Sequence, residues 1–252
     1  MTNKIAIITG GSRGLGKNTA LKLASQGVDL IITYRSKKED ADAVVAEAES
    51  LGVKANAVQL DVAESKTFSA FATTVKDLLS NTWQRENFDF LVNNAGIGIN
   101  TPFAQTTEEQ FDQLVNIQFK GVFFLTQTLL PLIADGGRII NISTGLTRFS
   151  FPGYAAYASM KGAIEVLSKY LAKELGARGI AVNVVAPGAI ETDFGGGVVR
   201  DNEQLNNHIA SITALGRVGV PDDIGGVIAS LLSEDNRWIN AQRIEASGGM
   251  ML

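Results

Sequence analysis

The sequence predicts an α/β fold, a single doubly wound parallel sheet with helices on both faces. Three observations predict it. Short apolar runs alternate with helical patterns from one end of the chain to the other, the arrangement that covers both faces of a parallel sheet. The first run passes straight into a glycine-rich turn and a helix, Thr9-Gly10-Gly11-Ser12-Arg13-Gly14-Leu15-Gly16. No proline- or serine-rich linker, repeat or low-complexity stretch divides the 252 residues, so residues 1–252 read as one domain large enough for a sizeable core.

The elements follow in order. Residues 4–9, 29–34, 55–60, 88–93, 137–143 and 180–185 are short, apolar and bounded by turn chemistry, and each reads as a buried strand. Between them, 16–25, 38–50, 64–79, 107–132 and 157–175 carry the helical pattern, and 221–232 is a further helix opened by Pro221. Residues 242–246 complete the series as a last strand. The connection 81–87, with Trp83 and several charges, carries no evident chemistry. Residues 194–216, with Gly195-Gly196-Gly197 followed by a polar helical pattern, read either as a mobile lid over a ligand or as a surface excursion.

Composition removes several function classes. A net charge of −4 gives no reason to expect nucleic acid or an anionic membrane as partner. The absence of cysteine excludes disulfides, thiolate nucleophiles and thiolate metal sites, and it suits a cytoplasmic location. His208, the one histidine, argues against a histidine metal site or a serine–histidine hydrolase; no metal is expected. The apolar part of the N-terminus is too short for a signal peptide, and no apolar run reaches the roughly 18 residues of a membrane span.

The glycine-rich turn lies where a helix N-terminus can carry a pyrophosphate, with Gly10, Ser12, Arg13, Gly14, Leu15 and Gly16 around it. Dinucleotide-binding sheets that take NAD place an acid at the end of the second strand for the ribose 2′-hydroxyl. Here the strand ends Thr33-Tyr34-Arg35-Ser36, with no acid before Glu39. Arg35 and Arg13 suit a 2′-phosphate instead, so NADP(H) is expected over NAD(H). Asp61 and Val62, after the third strand, are placed for the adenine, Asp61 also suiting a turn or helix cap. Asn93, Ala95 and Gly96, in Asn-Asn-Ala-Gly at the end of the fourth strand, stand where backbone must pass close to a dinucleotide.

Tyr157 and Lys161 are four residues apart in Tyr-Ala-Ser-Met-Lys, which puts a phenol and an ammonium on one helical face. A nearby cation lowers a phenol's pKa toward the working range, which suits general acid–base chemistry on an alcohol or carbonyl. Alone, the spacing is usually a surface lysine beside a half-buried tyrosine.

The ordered set of Thr-Gly-x-x-x-Gly-x-Gly, Asn-Asn-Ala-Gly, Tyr-x-x-x-Lys and Pro187-Gly188 resembles the short-chain dehydrogenase/reductase family over residues 4–252. The similarity is greatest to its 3-oxoacyl-carrier-protein-reductase-like branch, through residues 182–188 and the closing Ser247-Gly248-Gly249-Met250. The resemblance implies a Rossmann fold and hydride transfer between a nicotinamide and a carbonyl or alcohol carbon. Tyr157 would handle the proton on oxygen, and Lys161 would lower its pKa and hold the nicotinamide ribose. Ile190 and Thr192 would hold the carboxamide, beside Pro187 and Gly188.

Two positions depart from the family pattern. Where a serine usually precedes the tyrosine by thirteen residues stands Thr144, with Ser143 just before it; both have the hydroxyl, and strand alternation turns them opposite ways. Where the relay asparagine usually stands is Gln118. Asn116 would project about 200° away on a helix. The expected activity is NADPH-dependent carbonyl reduction or its reverse. An NAD-dependent alcohol or sugar dehydrogenase, or a non-catalytic dinucleotide-binding regulator, remain alternatives. Among basic residues, Arg178 is available for an acyl-carrier substrate, while Phe149, Phe151, Pro152 and Tyr154 either flank an apolar pocket or pack a loop or subunit contact. The family commonly forms tetramers, so a homotetramer acting on a small carbonyl or alcohol is expected.

Overall fold

Alternating burial builds the sheet. In β1 (Ile5–Ile8), Ala6 and Ile8 face one side and Ile5 and Ile7 the other, and all four are buried, as the two-residue period of a doubly covered strand requires. β2 (Asp29–Tyr34), β4 (Phe88–Asn93) and β6 (Ala181–Pro187) are likewise buried at every position. The structure is a computed structural model and describes residues 3–252. Its sheet has seven parallel strands in the order β3-β2-β1-β4-β5-β6-β7, with β3 (Ala55–Gln59), β5 (Ile133–Ile142) and β7 (Arg243–Ala246) completing it. The predicted doubly wound sheet is what forms.

Two apolar layers lie on its faces. One packs Ala6, Ile8, Leu30, Ile32 and Ile140 against α1 (Gly14–Ala24), α2 (Lys38–Ser50) and α9 (Pro221–Leu232). The other packs Ile5, Ile7, Ile31, Leu91 and Val182 under α3 (Phe68–Trp83), α5 (Gly121–Leu129) and α6 (Ala155–Glu174). Strand order reverses between β1 and β4, so a crevice opens at their carboxyl ends, the place where open α/β sheets bind ligands.

The structure corrects three element boundaries. The expected helix 107–132 is broken into α4 (Glu108–Leu114), a π-helical turn Val115–Lys120, α5 and a 3₁₀ turn Leu130–Leu132. Thr107 and Gln110 form a capping box at its start, and Pro131 sits where the α-helix gives way to the 3₁₀ turn. The expected helix 64–79 begins later, after a 3₁₀ turn Ser65–Thr67, and α3 runs on through Trp83 into the stretch read as a connection. There the Trp83 indole donates to Asp29 Oδ2 at 2.9 Å, which ties the end of α3 to the start of β2. β5 begins at Ile133 instead of 137 because Ile133 pairs with Phe88 before the register shifts and resumes at Arg138–Phe90.

Residues 194–216 hold a 3₁₀ turn Phe194–Gly197 and two helices, α7 (Val198–Asp201) and α8 (Glu203–Ser211). Gly195, Gly196 and Gly197 take φ of 63°, 79° and 79°, a left-handed run that side chains with a Cβ rarely adopt.

Candidate active site

The β1–α1 turn is built for close approach. Thr9 Oγ1 accepts from the backbone N–H groups of Asn94 and Ala95, both at 2.9 Å, and so draws the ends of β1 and β4 together. The Asn94 side chain donates to the carbonyls of Thr9 and Gly10 at 2.8 and 3.2 Å. Gly16 packs so tightly that a Cβ there would run into the Gly10 carbonyl. Helix α1 has no side-chain cap and no acidic residue in its first turn, which leaves its N–H dipole ends available to an anion. Thr192 lies over Gly14, 3.7 Å from where that residue's Cβ would be. Arg13 and Arg35 are both exposed beside this turn. A glycine cradle, uncapped N–H groups and exposed guanidinium groups are the donors that a phosphorylated dinucleotide demands, so the residues present fit NADP(H).

Ile190 forms a bridge with Gly219, and Gly188 N–H donates to Ala246 O at 3.1 Å, which fixes the segment after Pro187 against β7. Asp61 Oδ1 accepts from Ala63 N–H at 2.9 Å and so serves as a turn cap; Val62 packs against the second apolar layer. Ser12 and Leu15 stand in the turn and at the start of α1, with Leu15 packed on the first layer.

Tyr157 and Lys161 lie on α6 and are both buried, at 6 % and 5 % exposure. Lys161 Nζ donates to Ile142 O at 2.8 Å and sits 5.8 Å from the Tyr157 ring centroid. Thr144 lies two residues past the end of β5; its hydroxyl accepts from the Leu146 N–H at 3.3 Å, and its nearness to the Tyr157 phenol works to lower that group's pKa. Ser143 turns the other way and donates to Glu165 Oε1 at 2.7 Å, the opposition that strand alternation predicts. The Phe194 ring tilts over Tyr157 with centroids 5.9 Å apart, and Tyr154 meets it edge-on at 6.3 Å.

The electrostatics reverse one expectation. Burial pushes the Tyr157 phenol above its ordinary range, and the Thr144 hydrogen bond offsets only part of this. Burial also lowers Lys161, to about 7. The expected lowering of the tyrosine by its lysine is thus corrected: desolvation disfavours both charged forms, and the ammonium is directed to a backbone carbonyl. Tyr157 is held as a neutral acid.

Glycine turn, paired strand ends, and tyrosine, threonine and lysine converge on one crevice. The family profile described as Enoyl-(Acyl carrier protein) reductase matches residues 10–251. The 3-oxoacyl-[acyl-carrier-protein] reductase FabG of Staphylococcus aureus is 36% identical over 99% of this chain and 98% of its own. The chain belongs to the short-chain dehydrogenase/reductase family. Among solved structures of short-chain reductases, the promiscuous reductase LugOII, which catalyses keto-reduction at C1 during lugdunomycin biosynthesis, is 36% identical with a TM-score of 0.94, covering 100% of this chain and 99% of that one. The angucycline C-6 ketoreductase LanV with bound NADP is 33% identical with a TM-score of 0.93, covering 98% and 95%.

Within this short-chain dehydrogenase/reductase, several residues stand apart from their expected places. Asn93 spends its side chain in the interior, donating to Asn141 Oδ1 at 2.8 Å and Thr126 Oγ1 at 3.0 Å; only its backbone is left for the crevice. Thr9 and Asn94 do the joining that sequence reasoning did not credit to them, although both belong to the motifs quoted. Gln118 is fully buried against Gly96; its amide donates to Ile97 O, and its Oε1 has no partner among the described residues. Asn116 instead lines a surface groove with Ala63, Glu108 and Asp112. Arg178 is bound to Asp135 and to the carbonyls of Leu130 and Ile133 at the start of β5, the end of the sheet opposite the crevice. Phe149 and Phe151 meet edge-on with ring centroids 5.5 Å apart and pack with Ile209, Val218 and Met250 under α8.

Proposed function

We propose that this protein is an NADPH-dependent oxidoreductase that reduces a ketone to an alcohol. The observation that carries the reading is Tyr157 buried on α6 with Lys161 5.8 Å from its ring, joined through Phe194 and Thr192 to the uncapped dinucleotide turn. Bound NADPH supplies the hydride that adds to the carbonyl carbon. Thr144 donates to the carbonyl oxygen and orients it. Tyr157 gives its proton to that oxygen as negative charge develops there, and a phenol kept protonated by burial is the state reduction needs. Lys161 stands one turn on, able to stabilise the resulting phenolate. The Gln118 Oε1, without a partner among the described residues, is an acceptor available to a proton relay. Residues 194–216 serve as a lid, hinged on the left-handed Gly195–197 run and carrying Phe194 onto Tyr157.

The aromatic rings around Tyr157 and the engagement of Arg178 at the far end of the sheet favour a flat apolar ketone over an acyl-carrier substrate. Similarity to LugOII, which performs keto-reduction at C1 during lugdunomycin biosynthesis, and to the angucycline C-6 ketoreductase LanV supports a ketone substrate. A cytoplasmic homotetramer is the setting the reading takes. It is supported by the family resemblance, the lack of cysteine and the apolar residues exposed on α5 and α6. Among the described residues no helix is long and apolar enough to cross a membrane.

The test is NADPH oxidation with β-tetralone, a bicyclic ketone, against acetoacetyl-N-acetylcysteamine. Tyr157→Phe should abolish turnover of either while NADPH affinity stays within about twofold, since the phenol oxygen acts only on the substrate proton. Turnover near wild type in that variant refutes the assignment. Arg35→Ala should weaken NADPH about 10- to 100-fold and leave NADH nearly unchanged, the loss expected for a charge-assisted phosphate contact. A wild-type preference for NADH would overturn the cofactor choice.

A further inference from the structure

Beside the site lies a charged ladder that has no part in the proposed reaction. Glu165 follows Tyr157 and Lys161 on the same face of α6, one further turn along. Its Oε1 accepts three hydrogen bonds, from Ser143 Oγ, Thr147 Oγ1 and Arg243 Nε, each at 2.7 Å. Arg243 stands on β7, and its Nη2 reaches on to the carbonyl of Thr144 and the hydroxyl of Thr147, both at 3.1 Å. Its Nη1 donates to Glu245 Oε2 at 2.9 Å. Glu245 also takes a two-pronged pair from Arg148, at 2.9 and 2.7 Å, and Arg148 donates to the backbone of Met250 and Met251.

This ladder, Glu165–Arg243–Glu245–Arg148, encloses one short segment. Thr144 through Arg148 leaves β5 in a 3₁₀ turn, where the strand ladder no longer holds the backbone. Arg243 takes over at the Thr144 carbonyl, Glu165 takes both neighbouring hydroxyls, and Glu245 takes the far end at Arg148. The pair at its head is largely withdrawn from water, with Arg243 at 23% and Glu165 at 18% side-chain exposure. Exposed ion pairs contribute little, whereas a network of charges with its hydrogen bonds mostly made is rigid and geometrically demanding. Such rigidity matters where a hydroxyl must meet a carbonyl oxygen to within a fraction of an ångström.

We propose that Arg243 and Glu165 are positioning residues that fix the Thr144 hydroxyl for the carbonyl, so that the last strand of the sheet sets the geometry of the active site. The inference rests on the carbonyl-orienting role given above to Thr144. Arg243 touches neither substrate nor cofactor; it acts through the Thr144 backbone and through Glu165.

The experiment is a double-mutant cycle on the full-length enzyme, with NADPH oxidation followed on whichever of the two ketones has the higher kcat/KM. Arg243→Gln should lower kcat/KM about tenfold or more, with NADPH affinity unchanged, as misplacement of an orienting group does. Arg243→Lys, which keeps one donor toward Glu165, should regain part of the loss. In a Thr144→Ala background, Arg243→Gln should change kcat/KM by less than about twofold, because the group it positions is gone. A merely structural role would lower stability and leave the cycle additive. Equal losses in both backgrounds overturn the inference while leaving Thr144 its role. An unaffected Thr144→Ala variant refutes that role first, and the inference with it. If Arg243→Gln does not fold, Glu165→Gln, which keeps the shape but removes the charge that holds Arg243, runs the same cycle with a smaller loss expected in the Thr144 background and less than about twofold in Thr144→Ala.

Discussion

At the scale of single residues, burial outweighs every other influence on the charges of this site. Tyr157 and Lys161 were expected to help each other ionise; the packed helix instead makes each resist its charge. Lys161 shows the consequence for stability. Its folded pKa is about 7 against an ordinary 10.5, so between those values the unfolded chain binds a proton that the folded chain does not. Stability therefore rises with pH across that window and carries the full penalty below about 7. Denaturant titrations of wild type and Lys161→Met should show the variant's relative advantage greatest near pH 6 and shrinking steadily toward pH 10, an expectation of sign drawn from the same linkage. A difference independent of pH would contradict it. The identities of Tyr157, Lys161 and Thr144 were legible in the sequence because spacing along a helix and distance from the tyrosine mark them. Distance from the tyrosine favoured Thr144 over Ser143, and the packed structure turns the Ser143 hydroxyl away to Glu165 and leaves Thr144 near Tyr157.

At the scale of elements, polar side chains tie together the ends of strands and helices that apolar packing alone leaves free to slide. Asp89 does this at the closed end of the sheet. Its Oδ2 accepts from the Ile5 N–H at 2.9 Å and from Arg85 at 2.8 Å, and its Oδ1 accepts from Lys4 at 3.0 Å. Burial raises the carboxyl, but the bonds from Arg85, Ile5 and Lys4 outweigh it and leave its pKa below the ordinary 3.8. Its contribution is therefore present above pH 4 or so and is lost as pH falls through the lowered value. Asp89→Asn should cost about 1–3 kcal/mol in urea unfolding at neutral pH, with the cost vanishing in acid. A variant as stable as wild type at neutral pH would show that the strand ends need no such tie. Helix 107–132 was legible as one apolar pattern, yet its π-helical break was not. Periodicity reports the buried stripe, and one extra residue in a turn hardly alters that stripe while it re-aims Gln118 and Asn116.

At the scale of the whole molecule, exposed apolar side chains point to assembly. Phe123 and Phe124 on α5 and Val166 and Tyr170 on α6 are exposed although large and apolar, and exposed apolar residues of this kind on two helices fit burial against a second copy. In the proposed tetramer, Tyr170→Glu should release smaller species in light-scattering chromatography and leave the monomer folded. A variant that stays tetrameric would place the contact elsewhere. By itself the sequence determined the sheet, the order of its layers, the dinucleotide turn and the tyrosine–lysine pair, because each is encoded by local periodicity or by fixed spacing within a few residues. Tertiary structure alone decided which way Ser143 and Thr144 point, that Asn93 is spent inside while Asn94 joins the strands, that burial disfavours the charge on both Tyr157 and Lys161, and that β7 reaches back to the Thr144 carbonyl. These outcomes depend on contacts between segments up to about a hundred residues apart, such as Thr144 and Arg243. Desolvation and hydrogen-bond geometry there are set by the packed neighbours, and no local pattern records them.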